Sequence, residues 1–166
     1  SRWKNLGFPQ RAIRSGDYLF VWNMNPELWP AGDLQAVKLN SEGEIYPLFG
    51  IDESGTYHSG WAFTDIDDSP SKSFIIENHN NEDIEDYFNL AFGKVSEFEL
   101  YNVKEDPYCL ENVFGKYEYI RLGNKLRKIL LEELERTDDP RIVGPDKDVF
   151  DTYKRYVGPM RKFPPH

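Results

Sequence analysis

The residue types that most often perform chemistry are sparse in this chain. Its 166 residues include three histidines, His58, His79 and His166, and one cysteine, Cys109. The histidines stand far apart, and no HExxH pattern places two of them on one helix face. A single thiol can form no internal disulfide and no cysteine-based zinc site. The spacing therefore predicts no metal centre, and the histidines are expected at the surface or in loops.

An acidic run, Asp65, Asp67 and Asp68, lies near the middle of the chain. A calcium loop of the EF-hand type requires Gly at its sixth position and Glu at its twelfth. Counted from Asp65, those positions hold Pro70 and Ile76. The run is therefore interpreted as a turn or the start of a helix, in preference to a calcium site or a catalytic carboxylate pair.

Cys109 is the one side chain with nucleophilic potential beyond the common hydroxyls. It follows Asp106 and Pro107, and no histidine is near it in sequence. A catalytic thiol needs a base and an activating environment, so a partly buried packing role is predicted. The chain contains no GxSxG, P-loop or GxGxxG motif. By itself it is not expected to be a complete enzyme.

Composition excludes several classes of protein. Lys and Arg number 20 and Asp and Glu number 29, which gives a net charge of −9. An acidic chain lacks the basic surface of a nucleic-acid-binding protein. No apolar run approaches the roughly 18 residues of a membrane span. The length and the 39% apolar content predict one globular domain over residues 1–166, and the start at Ser1 suits a processed chain, an expression remnant or a fragment.

The first quarter of the chain predicts a β-hairpin followed by a long loop. Residues 11–14 alternate polar and apolar, residues 15–17 have turn chemistry, and residues 18–23 form a strand with two apolar faces. A strand of this kind is expected to be covered on both sides. Residues 26–69 are rich in Gly and Pro but also in aromatics, which predicts an ordered loop that packs by its own side chains.

The rest of the chain is mainly helical. Helices are predicted from Ser69 and from Asn81, and Gly93 can close the second of them. A strand is predicted over 98–103, followed by an amphipathic helix over 116–136 whose apolar stripe includes Leu126 and Ile129. The tail from Asp138 is expected to be mainly coil. Asp106 and Pro107 mark the turn between that strand and the last helix. Together these elements predict an α+β fold. It consists of a small antiparallel sheet of about three or four strands, packed against a long C-terminal helix, with a long irregular loop insertion.

Three segments in the first part of the chain form a recognisable series: PQRAIR at 9–14, DYLFVWN at 17–23 and WPAG at 29–32. Together they resemble the passage after the catalytic domain in bacterial members of the sulfatase family, of the heparan N-sulfatase (N-sulfoglucosamine sulfohydrolase) type. One position departs from the family, because Trp22 stands where many members carry a cation.

The second half resembles the ELYDL…DP…E…NL signature near sulfatase C-termini. Asn102 stands where Asp is usual. The resemblance runs from about residue 7 to about residue 158. The matching segments are DIDDSPSKS at 65–73, FGK at 92–94, ELYNV at 99–103, DP at 106–107, ENV at 111–113 and TDDPR at 137–141.

The resemblance implies that this chain is one part of a longer enzyme and that the catalytic groups lie in another part. Sulfatases hydrolyse sulfate esters or sulfamates with a formylglycine, made from Cys or Ser in a C/S-x-P-x-R motif, and with a bound calcium ion. Two P-x-R segments occur here, but Gly7 and Val157 occupy the nucleophile position. The chain is therefore identified as a sulfatase C-terminal subdomain. The alkaline-phosphatase-like catalytic domain is expected upstream and would hold the formylglycine and the calcium.

The expected partners of the chain follow from the same resemblance. They are its own N-terminal catalytic domain and a sulfated, glycosaminoglycan-type sugar, in a parent protein exported to the bacterial periplasm or beyond. In the family this region closes one side of the active-site cleft and helps to select the sugar. Trp29, His58 and Trp61 are the predicted substrate contacts, with rings facing a sugar and an imidazole donating to sulfate or hydroxyl. The other interpretation is that these side chains form a satellite core under the loop.

Two further classes of function stay open. The aromatic loop is also typical of a free-standing carbohydrate-binding module, in which Trp29, Tyr57 and Trp61 would stack on sugar rings. A structural or regulatory remnant of a sulfatase, without sugar contact, is the other alternative. Affinity for a sulfated oligosaccharide would favour the first of these.

Overall fold

The computed structural model describes residues 8–32, 62–63 and 65–145. These residues form an α+β fold with a three-stranded antiparallel sheet, which confirms the predicted class. A 3₁₀ turn, Tyr117–Tyr119, leads directly into the longest helix. The elements in chain order are β1 (Gln10–Ser15), β2 (Tyr18–Asn23), α1 (Pro70–Glu77), α2 (Glu82–Phe92), β3 (Phe98–Asn102), α3 (Ile120–Arg136) and α4 (Pro140–Val143).

Strand β2 is the central strand of the sheet. It pairs antiparallel with β1 through the predicted hairpin and with β3, far along the sequence, on its other edge. In this register Phe20 lies between Ile13 and Leu100. Gly16 occupies the hairpin turn with φ +58°, a left-handed conformation that glycine adopts without a side-chain clash. The face of β2 that carries Phe20 is buried under α3, whereas Leu19 and Val21 on the other face are half-buried.

Helix α3 covers one face of the sheet. Phe20 and Leu100 are completely buried beneath it, and Leu126 and Leu130 supply the helical side of the same core. This confirms the predicted packing. Ile129, which the sequence assigned to the stripe, is only half-buried, because successive i+4 steps carry the buried row through Leu126 and Leu130. The buried members of this core are Phe20, Leu100, Val113, Leu126, Leu130 and Leu134.

The opposite face of the sheet ends in a buried polar network. Asn23 is completely buried, and its Oδ1 accepts a hydrogen bond from Gln10 Nε2 at 2.6 Å. Its Nδ2 donates to Ser96 O at 2.6 Å and to Glu99 Oε2 at 2.9 Å. The Tyr101 hydroxyl donates to Glu99 Oε1, and burial together with the Glu99 charge raises the pKa of Tyr101. The network satisfies the buried amide and fixes the point where β2 ends.

The connection from β3 to α3 is built by side chains of the second signature. Asp106 Oδ2 accepts a hydrogen bond from Glu111 N at 2.8 Å, which closes the predicted turn. Asn112 Oδ1 accepts from Leu100 N at 3.0 Å, and Asn112 Nδ2 donates to Phe98 O at 3.2 Å. One side chain therefore supplies a donor and an acceptor to β3, in place of a further strand.

The C-terminal region contains one short helix that the sequence did not predict. The tail from Asp138 was expected to be mainly coil, and within the described residues it includes α4, which is four residues long. This helix forms because Asp139 Oδ1 accepts a hydrogen bond from Arg141 N at 3.0 Å and Pro140 occupies the first turn. At the end of α3, Arg136 pairs with Glu133, three residues before it.

Candidate functional site

The two ends of the long loop predicted over residues 26–69 lie next to each other. Asp65 N donates a hydrogen bond to Ala31 O at 3.1 Å, so the two ends of the excursion are adjacent. Two of the three predicted substrate contacts, His58 and Trp61, lie outside the described residues. Trp29 lies at the base of the excursion, and the candidate site is therefore built around it.

A second hydrophobic cluster underlies this base, in addition to the core between the sheet and α3. Phe63 is completely buried, and its ring centroid lies 4.7 Å from that of Phe92 and 5.8 Å from that of Phe88. Ala31 and Ile76 complete the buried set from the loop and from α1. The cluster joins both ends of the excursion to the pair of helices, so the base is a packed structure.

Trp29 lies at the edge of this cluster and is half-buried. Its ring meets Phe63 edge-on, with centroids 5.7 Å apart and planes at 72°. The ammonium nitrogen of Lys94 lies 5.1 Å from the centroid of the Trp29 ring. The structure thus gives Trp29 a packing role, and the predicted contact between its ring and a sugar stays a prediction.

The residue before Lys94, Gly93, sets the path of the backbone at this point. Gly93 ends α2, as predicted, but its φ of −63° shows that it is not there for a left-handed conformation. A Cβ at Gly93 would lie 2.4 Å from Asn89 O, so the chain can leave the helix along this path only without a side chain. The sequence did not single out Lys94 as a site residue, although it belongs to the FGK segment, because no spacing rule relates it to Trp29.

Two carboxylates of the acidic run, those of Asp67 and Asp68, interact electrostatically with the buried side chain of Lys72. The side chain of Lys72 is only 1% exposed, and its Nζ donates to Ile66 O at 2.8 Å. Asp68 Oδ1 lies 3.9 Å from the same nitrogen. Burial lowers the pKa of Lys72, and the charges of Asp68 and Asp67 oppose that shift. Within the described ranges, no group of three or more His, Cys, Asp or Glu side chains is arranged to hold a metal ion.

The described residues also do not fit the formylglycine motif of the sulfatases. Cys109 is partly buried, as predicted, and has a φ of +54° in the loop after β3. Glu111 and Val113 stand where C/S-x-P-x-R requires Pro and Arg. No hydrolytic step can be assigned to Cys109 in this chain. His79 contacts the backbone of α1, with Nδ1 2.8 Å from Ile76 O.

No protein-family model matches this chain, and a search of curated proteins finds no matching relative. The interpretation as a sulfatase subdomain therefore rests on the motifs and on the contacts that their residues make. None of the helices in residues 8–32, 62–63 and 65–145 is long and apolar enough to cross a membrane.

Proposed function

We propose that this chain is the C-terminal part of a sulfatase of the heparan N-sulfatase type. The whole enzyme hydrolyses sulfate esters or sulfamates of glycosaminoglycan-type sugars. The chain supports the catalytic domain and shapes one side of the substrate cleft, while the formylglycine and the calcium belong to the catalytic domain.

The observation that carries the proposal is the contact between the first and the last matching segments. Arg11 of PQRAIR donates through Nε to Asp139 Oδ2 of TDDPR at 2.6 Å, across 128 residues of sequence. Between them, Asn112 of the second signature binds the backbone of β3 on both sides of Glu99. Residues of the matching segments therefore stabilise one another in this fold, which supports their interpretation as parts of one signature.

The arrangement of the two hydrophobic clusters supports the assignment of roles. The core between the sheet and α3 is a rigid platform, and the cluster around Phe63 fixes the base of a long excursion beside it. Binding residues are commonly carried by loops that a rigid scaffold positions. On this proposal the excursion that begins at Trp29 faces the cleft, and His58 and Trp61 remain its predicted sugar contacts.

The reading frame upstream of Ser1 tests the proposal. A sulfatase requires that frame to encode an alkaline-phosphatase-like domain with a C/S-x-P-x-R motif. An upstream frame without such a domain would overturn the proposal and would leave a stand-alone carbohydrate-binding or structural module. Turnover of an aryl sulfate or of N-sulfated glucosamine by the isolated chain, above that of a heat-inactivated control, would also contradict it.

A further inference from the structure

We propose that Lys94 binds a second anionic group of the sugar, a sulfate or a carboxylate that is not the group being hydrolysed, and that Trp29 holds Lys94 in place for this contact. The inference rests on the proposed function and names the part of the substrate that this chain recognises. It predicts a preference for sugars that carry several anionic groups.

The position of the Lys94 ammonium is defined on two sides. Gly93 fixes the path of the backbone as it leaves α2, and the Trp29 ring lies 5.1 Å beneath the nitrogen. Attraction between an ammonium and the face of an indole restricts an otherwise flexible side chain. The entropy lost when an anion binds is then smaller than for a free lysine. Lys94 is an exposed residue, so its side chain can be reached from solvent.

Three of the described lysines lie next to carboxylates. Lys72 is buried beside Asp68, Lys116 pairs with Glu111, and Lys128 pairs with Glu132 at 3.7 Å. Within the described part of the chain, no carboxylate forms an ion pair with Lys94, and its ammonium lies instead over the Trp29 ring. In a protein of net charge −9, a cation placed in this way at the base of the excursion is suited to an anionic ligand.

This geometry changes the role first expected of Trp29. One face of its ring is covered by the Lys94 ammonium, and the ring also makes an edge-to-face contact with Phe63. Stacking of a sugar on the covered face would require displacement of the lysine and loss of the cation–π attraction. Trp29 is therefore a positioning residue, and the contact with the ligand is made by Lys94.

The full 166-residue chain can be titrated with a sulfated heparin-type tetrasaccharide and with the same tetrasaccharide after desulfation and N-acetylation. Binding is followed by ¹H–¹⁵N NMR, in which the Trp29 indole signal is assigned from Trp29→Phe. Lys94→Met removes the charge, and Lys94→Arg retains it. Arg127→Met is the matched control, because the Arg127 guanidinium also lies over a ring, 4.4 Å from the Phe98 centroid, but at the sheet–α3 core.

Lys94→Met is expected to weaken binding of the sulfated sugar about ten-fold or more, as expected for loss of one charge-assisted hydrogen bond, and Lys94→Arg to restore most of it. Arg127→Met should leave the affinity unchanged. Trp29→Phe should weaken binding in the wild-type background but not in Lys94→Met, because Trp29 acts through the lysine.

Three results would overturn the inference. They are an equal loss for Lys94→Met and Arg127→Met, a Trp29→Phe effect that persists without the Lys94 charge, and no binding of the sulfated sugar at millimolar concentration. Binding of the sulfated sugar by the isolated chain was first expected to favour a carbohydrate-binding module, but with Lys94 as the contact it is expected for a sulfatase subdomain as well. None of these outcomes therefore decides the proposed function, which is tested by the upstream reading frame. Absence of a catalytic domain upstream would in turn remove the hydrolase while leaving the affinity result to stand by itself.

Discussion

Arg11 on the first strand and Asp139 at the start of the last helix form an ion pair that joins the two ends of the fold. Arg11 Nε lies 2.6 Å from Asp139 Oδ2, and the two side chains are only 28% and 12% exposed. The second oxygen of Asp139 accepts from Arg141 N and so caps α4. The Asp139 carboxylate therefore attaches α4 to the sheet and also caps the N-terminus of α4.

Acid should weaken this attachment. Desolvation alone would raise the pKa of Asp139, but the hydrogen bonds from Arg11 and from Arg141 N, together with the charges of both arginines, lower it below 3.8. Because the folded-state pKa is depressed, the stabilisation is fully present above the unfolded pKa and is lost as the pH falls through the folded value. Asp139→Asn should cost about 2 kcal/mol of unfolding free energy at pH 7, and the difference from wild type should shrink below pH 3.8.

Urea unfolding between pH 2.5 and pH 7 measures this difference. Asp138→Asn is the matched control, because Asp138 is exposed and its φ of +54° suits asparagine. A cost of Asp139→Asn that stays constant down to pH 2.5, or equal costs for both variants, would show that the ion pair does not stabilise the fold.

Buried Lys72 should produce a dependence of the same sign, but in the alkaline range. Its folded-state pKa is lowered from 10.5 by burial, so between the two pKa values the unfolded chain binds more protons and stability rises with pH. The unfolding free energy of wild type, relative to Lys72→Met, should therefore increase as the pH rises from 7 towards 10.5. Lys128→Met, at a side chain that is 75% exposed, is the control. A wild-type advantage that is flat or falls over this range would contradict the desolvated state of Lys72.

The core between the sheet and α3 should not tolerate a charge. Leu126 is 2% exposed, and a carboxylate in its place would be buried without a partner. Leu126→Asp should cost about 4 kcal/mol or more and should abolish cooperative unfolding, whereas Leu126→Ala should cost about 3 kcal/mol. Thermal unfolding by circular dichroism measures both, with Lys125→Asp on the exposed side of the helix as control. A cooperative transition at the wild-type temperature in Leu126→Asp would show that α3 does not pack as described.

A side chain at position 93 should not fit without a shift of the backbone. Gly93→Ala places a Cβ 2.4 Å from Asn89 O, so the last turn of α2 must shift, at a cost of about 1–3 kcal/mol. The same shift should move Lys94 away from Trp29 and change the indole NMR signal of Trp29. Lys94→Ala, one residue further along, should leave the stability nearly unchanged. If Gly93→Ala is as stable as wild type, then the close approach at Asn89 does not limit the sequence.

The parts of the fold that were predictable from sequence are those governed by local rules. Ser69 and Asn81 begin helices where predicted, because their side chains accept from the backbone of Lys72 and Asp83 at 3.1 and 2.9 Å. The polar–apolar alternation of β1 and the helical stripe through Leu126 likewise identified their elements. In each case the signal lies within a few neighbouring residues.

The parts that were missed depend on contacts between distant residues. Asp139 was not recognised as a helix cap that is also an ion-pair partner, because Arg11 is 128 residues away. The acidic run near Asp68 was interpreted from sequence as a turn or helix start, but its electrostatic relation to Lys72 was missed because the burial of Lys72 is seen only in the structure. The proximity of Lys94 to Trp29 is of the same kind, since packing around Phe63 brings the two segments together.

Sulfate release is the most direct measure of whether this chain belongs to a sulfatase. The polypeptide encoded by the complete reading frame should release sulfate from an N-sulfated or O-sulfated glucosaminide. Replacement of the Cys or Ser of its C/S-x-P-x-R motif by Ala should abolish that release, and residues 1–166 alone should release none. Sulfate release by residues 1–166 alone, or none from the complete polypeptide with any of these substrates, would contradict the proposed function.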